Sequence, residues 1–130
     1  MTFKPSLSGL LLAAAGMALM PLTAIAASDG KAALKNNAYI VQMADKPVAA
    51  YDGGIQGYTA TKPKKGQKID PNAPAVVSYM AMLASRQDTT MAGVGASKKL
   101  YNCGYVFNGF AAELTEQQAQ KLAQTSGVLS

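Results

Sequence analysis

Val106-Phe107-Asn108-Gly109-Phe110-Ala111-Ala112-Glu113-Leu114-Thr115-Glu116-Gln117-Gln118-Ala119 carries a turn, a strand and a helix start in one run. Asn108-Gly109 is the strongest short hairpin signal in the chain, because both residue types tolerate positive φ. Phe110, Ala112 and Leu114 then alternate, which puts them on one side of a strand and Ala111 and Glu113 on the other. Thr115 and Gln118 have capping-box spacing, so a helix starts where the strand ends. Ala119, Leu122 and Ala123 form its expected buried stripe, and Gly127 is placed to cap its C-terminus. Val128 and Leu129 read as the first residues of one more strand.

Upstream, Lys98 to Phe107 alternates, with Tyr101, Cys103, Tyr105 and Phe107 sharing one side. Before it, a helix is expected to open at Asp70-Pro71-Asn72, capped by Asp70 or Asn72 with a proline at its first position. Val76, Met80, Leu83 and Ala84 give it an apolar stripe that fades after Arg86, and Gly93 and Gly95 mark its end. Asp45 to Pro71, rich in Gly, Pro, Lys and Thr, reads as a peripheral loop. Ala38 to Ala44 is a short strand candidate. The order β-α-β-β-α-β is that of an α+β, ferredoxin-like split βαβ fold, an antiparallel sheet with two helices on one face. Its last strand is only begun at Ser130.

The N-terminus reads differently. Lys4, the apolar run Leu10 to Leu22 and Ala24-Ile25-Ala26 make a secretory signal peptide over 1–26, with cleavage between Ala26 and Ala27. The run is broken by Pro21 and short for a membrane span, so no stable membrane association is expected after cleavage. Residues 27–37 read as a flexible leader and 38–130 as the folded domain. The expected destination is the cell exterior or the periplasm.

Composition narrows the chemistry. The 130 residues contain no His, no Trp and one Cys. Without His the chain lacks the usual general base of a Ser/His/Asp or Cys/His site and the commonest zinc ligand. A single Cys forms no internal disulfide, and Cys103 reads as a small buried apolar residue. No cofactor or metal is expected, and the chain by itself does not read as an enzyme. Removing Lys4 from the 12 basic side chains leaves 11 against 7 acidic ones, a net +4. Only Lys62, Lys64, Lys65 and Lys68 cluster, without interleaved aromatics, so nucleic acid is not an expected partner.

Tyr39-Ile40-Val41, Val94-Gly95, the Val106 to Ala119 run, Leu122 and Gly127-Val128 together resemble the propeptide domain of subtilisin-like serine proteases, the I9 inhibitor domain. The resemblance covers Tyr39 to Ser130, and its specific part is Phe107-Asn108-Gly109-Phe110-Ala111-Ala112 with Leu114, Thr115, Gln118 and Ala119. It implies an intramolecular folding chaperone and temporary inhibitor whose partner is the protease catalytic domain, in cis in the full precursor. The open sheet face would dock on that domain, with Tyr101 and Tyr105 as candidates. Glu113 is the candidate rim carboxylate, capping a partner helix N-terminus where orphan N–H groups favour an anion. The tail that would fill the cleft and the catalytic domain are not in the sequence, so the expectation is a truncated precursor whose parent is a subtilisin-like endopeptidase. The alternatives are a free-standing secreted inhibitor of the same fold and a periplasmic ferredoxin-like interaction module.

Overall fold

The computed structural model describes residues 36–130. The signal-peptide reading, with Ala24, Ala26 and Ala27, and most of the leader lie outside the described residues. The described part is α+β, with two helices and a three-stranded antiparallel sheet of order β1-β3-β2. β1 (Asn37–Gln42) pairs with β3 (Gly109–Leu114), Val41 opposite Phe110 and Ile40 opposite Ala111. β2 (Lys99–Cys103) lies on the other side of β3, Tyr101 opposite Ala111, with a register shift between Lys99 and Tyr101. Along the second edge of β1, Met43 bridges antiparallel to Val128. There the Leu129 N–H donates to the Gln42 carbonyl at 2.8 Å, and the Gln42 N–H to the Ser130 carbonyl at 2.7 Å.

The period of two in β3 becomes its packing. Phe110, Ala112 and Leu114 are buried with Val41 and Met43, under Leu122 of α2 (Glu116–Ala123) and Met91 of α1 (Pro74–Gly93). Burying Phe110 or Leu114 stabilises the fold by about 1.5–3 kcal/mol each. The small Ala112 lies opposite Tyr39, so a large ring on β1 faces a small side chain on β3. The capping box of α2 forms as its spacing predicts. Thr115 Oγ1 accepts from the Gln118 N–H at 3.2 Å, and Gln118 Oε1 accepts from the Thr115 N–H at 3.0 Å.

A second cluster occupies the N-terminal half of α1. Val48 and Tyr51, from the short 3-10 turn Val48–Ala50 and just after it, are buried with Val76, Tyr79, Met82 and Leu83. The Tyr51 and Tyr79 rings stack at 4.0 Å between centroids. Backbone groups of the loop are satisfied locally: the Thr61 and Lys62 N–H groups donate to the Tyr51 carbonyl at 2.9 and 2.8 Å. Thr61 Oγ1 donates to the Val48 carbonyl at 2.8 Å. The segment expected to be peripheral therefore contributes Val48 and Tyr51 to the core, with Ile55, Tyr58 and Ile69 packed against them.

Several local expectations change. α1 begins at Pro74 behind Ala73, which offers no side-chain cap. Asp70 instead accepts from the Asn72 N–H, turning the chain just before the helix. The buried stripe of α1 does not fade at Arg86, since Gln87 and Met91 continue it. β1 starts at Asn37 and β2 ends at Cys103, both earlier than the alternation suggests. Ala123 is exposed. α2 closes on Gln124, whose N–H bonds back to Leu122 and Lys121; Gly127, at φ +86°, serves the next turn rather than the cap.

The hairpin is the larger correction. Asn108-Gly109 is not a two-residue turn, because no residue there has positive φ. The connection is Gly104 to Asn108, and Gly109 is already in β3. Its glycine is required by close approach. A Cβ at Gly109 would run into the Val41 carbonyl oxygen of the paired strand and stand 2.6 Å from the Phe107 ring.

Candidate functional site

The sheet has one face under the helices and one face open. On the open face, register places Ile40, Ala111 and Tyr101 in one row across all three strands. Ile40 is 75% exposed and Tyr101 74%. Two large apolar side chains thus flank a small one, which makes a shallow saddle. Cys103 is next to it, opposite Gly109, and is exposed rather than buried. It shares the face of Tyr101, two residues back, on a strand exposed along most of its length.

Tyr105 does not continue the β2 face. It lies in the Gly104–Asn108 connection, where it is 40% exposed and Val106 is 81% exposed. A groove of about 340 Å³ opens there, lined by Met80, Cys103, Tyr105, Val106 and Phe107 among others. The connection is held from below by two bonds, from the Val48 N–H to the Gly104 carbonyl and from the Ala49 N–H to the Tyr105 carbonyl, both 2.8 Å.

Glu113 projects from the open side of β3 and is half-buried. Its Oε1 is 2.6 Å from Lys98 Nζ, and its N–H donates to the Lys98 carbonyl at 2.9 Å. The carboxylate is thus at the edge of the apolar row, partly neutralised by a lysine that is itself 64% exposed. An exposed ion pair of this kind contributes at most about 1 kcal/mol, so it leaves the carboxylate available to a better partner.

Asn108 turns inward. Its Oδ1 accepts from Gln87 Nε2 at 2.9 Å and its Nδ2 donates to the Asp45 carbonyl at 3.0 Å. Gln87 Nε2 also donates to the Cys103 carbonyl at 2.8 Å. Two amides therefore tie α1, the end of β1 and the end of β2 together beneath the open face. Phe110, Ala112 and Leu114 serve the core, Ala111 the open row, and Thr115, Gln118 and Ala119 the start of α2. Sequence reasoning missed Ile40 and Val106 as surface residues and Gln87 as a core amide. The Tyr39-Ile40-Val41 alternation, with Val41 inward, could have found Ile40. Among the described residues no group of three or more His, Cys, Asp or Glu side chains is placed to hold a metal ion.

The open face offers an apolar saddle with a carboxylate at its rim. Residues 38–130 match the family model for peptidase inhibitor I9. The chain is 37% identical over 95 residues to subtilisin-like protease SBT2.6 of Arabidopsis thaliana, and 36% identical over 95 residues to SBT2.5 of the same plant. Each match covers 71% of this chain and 12% of the relative, so the chain spans a small part of those proteases. No solved structure matches it. The chain belongs to the peptidase inhibitor I9 family.

Proposed function

We propose that this domain is the propeptide of a subtilisin-like serine protease precursor, helping the catalytic domain fold and blocking it until the propeptide is removed. The observation that carries the reading is the open row Ile40, Ala111 and Tyr101, which no other described element covers. Ordered, exposed, large apolar side chains on a flat sheet face suit a partner's surface. Glu113 supports the reading as the group that would meet orphan N–H donors at a partner helix N-terminus. In this reading Val128 to Ser130 begin a fourth strand beside β1, completing a ferredoxin-like sheet. The precursor is exported by residues 1–26 and acts in a secreted or periplasmic setting.

The test is inhibition in trans of a subtilisin-like catalytic domain. Ile40→Asp is expected to weaken inhibition at least about tenfold, because it puts a charge in place of one of the two large apolar side chains of the row. Its urea midpoint should stay near wild type, since Ile40 is outside the core. Glu113→Gln should weaken inhibition by a smaller factor. Equal inhibition by wild type and Ile40→Asp would refute docking through this face.

A further inference from the structure

The surplus positive charge of the described chain is concentrated in one turn. Lys46, Arg86, Lys98 and Lys99 each reach a carboxylate, on Asp52, Asp45, Glu113 and Asp88. Lys62, Lys64, Lys65 and Lys68 form no ion pair among the described residues and are all exposed. The segment around them has no regular structure. A bond from the Gln67 N–H to the Lys64 carbonyl, 2.9 Å, closes a turn in which Gly66 has φ +81°.

An endopeptidase that reads lysine needs several residues on either side of the cut in an extended, accessible chain. Bonds inside helices and strands are withheld from it until they open locally. That requirement sorts the basic residues. Lys46 and Lys62 precede Pro47 and Pro63, whose rings and missing N–H groups make those bonds poor substrates. Arg86 is within α1, Lys99 within β2 and Lys121 within α2. The Lys98 carbonyl is bonded to β3. Lys64, Lys65 and Lys68 remain, in one exposed turn and just after it.

We propose that the exposed stretch Lys64–Lys68 is a processing site for a lysine-directed endopeptidase, and that cutting it loosens the second cluster while the sheet stays formed. Hydrolysis adds one water across the peptide bond, leaving a lysine carboxylate and a new amino terminus. The cut ends remain anchored: Thr61 and Lys62 are bonded to Tyr51, and Ile69 packs on the second cluster. That cluster shares no buried residue with the sheet cluster. Besides the shared helix α1, it is tied to the sheet's connection by the bonds from Val48 and Ala49 to Gly104 and Tyr105, so the cut is felt in the connection carrying Tyr105 and Val106. The site stands on accessibility alone and is independent of the docking function above.

The test is brief digestion of the whole chain with trypsin, and separately with a lysine-specific endopeptidase, mapped by mass. Within residues 36–130 the first cut is expected after Lys64, Lys65 or Lys68. The triple variant Lys64→Gln, Lys65→Gln, Lys68→Gln should survive about tenfold longer with an unchanged circular dichroism spectrum, local opening then being required. In the nicked chain, amide exchange at Val48 and Ala49 should rise about tenfold while Phe110 and Ala112 stay protected. A first cut after Arg86, Lys98, Lys99 or Lys121, or equal survival of the triple variant, overturns the site. Exchange at Phe110 rising with Val48 overturns the separation of the two clusters.

Discussion

The sheet cluster and the loop cluster bury similar side chains by different means. Around Phe110 the burial follows from strand register: once Val41 faces Phe110, every second residue of β1 and β3 is committed to the core. Around Tyr79 no register operates. Tyr51 and Tyr79 stack, Tyr79 Oη donates to the Lys46 carbonyl at 2.6 Å, and Tyr51 Oη accepts from the Ile55 N–H at 2.9 Å. Phenol hydroxyls there do what a strand ladder does elsewhere, satisfying the backbone of an irregular segment. The first cluster is held by non-local pairing and the second by particular side chains on one loop and one helix.

The comparison breaks most readily at Phe110. Phe110→Ala should cost about 3–5 kcal/mol, seen as a lowered urea midpoint. If the sheet is the foundation, both clusters should melt together in that variant. Gly109→Ala comes next, at about 2–3 kcal/mol, because its methyl group meets the Val41 backbone and β1 must shift from β3. A Gly109→Ala chain with wild-type stability would show that β1 and β3 do not approach as described.

Tyr79→Phe is the mildest and the most discriminating change. It removes one hydroxyl and should cost about 1 kcal/mol. Exchange should quicken at the Thr61 and Lys62 amides while β3 stays protected. Burial, with the Asp45 carboxylate next in importance, pushes the Tyr79 hydroxyl up to about 12 from an ordinary 10. The folded state then holds its proton more tightly than the unfolded state. The stabilisation is complete below pH 10 and is lost as pH rises toward 12. Alkaline unfolding monitored between those values should flatten in Tyr79→Phe. An identical alkaline profile would mean that another group governs it.

Legibility in the sequence follows the same division. The Phe110, Ala112, Leu114 alternation and the Thr115/Gln118 box are period and spacing signals, and both are present in the structure as read. Asn108-Gly109 misled because two different needs select the same dipeptide. Glycine was required by the approach of Val41, and asparagine by its two-sided amide, bonded to Gln87 and Asp45. Neither partner is near in sequence. The loop cluster was illegible for a related reason: Tyr51, Thr61 and Tyr79 have no common period, and only the folded chain brings them together. On the open face, alternation groups Tyr101 with Cys103 without saying whether that side is core or surface; the family resemblance offers Tyr101, and residue type alone makes Cys103 read as buried.

α1 joins the two clusters, with Val76 to Leu83 in one and Met91 in the other. Its 20 residues make a rod of about 30 Å. The consequence concerns tolerance of length. Residues added to or removed from the exposed stretch between Lys64 and Lys68 change one loop closure, and even doubling a loop costs only about 0.6 kcal/mol. The rod isolates strand pairing from that change. A single residue inserted between Gly109 and Leu114 has no such insulation, because it turns every following side chain of β3 to the opposite face. Insertions and deletions compatible with this fold should therefore collect in the lysine turn and be absent from β3.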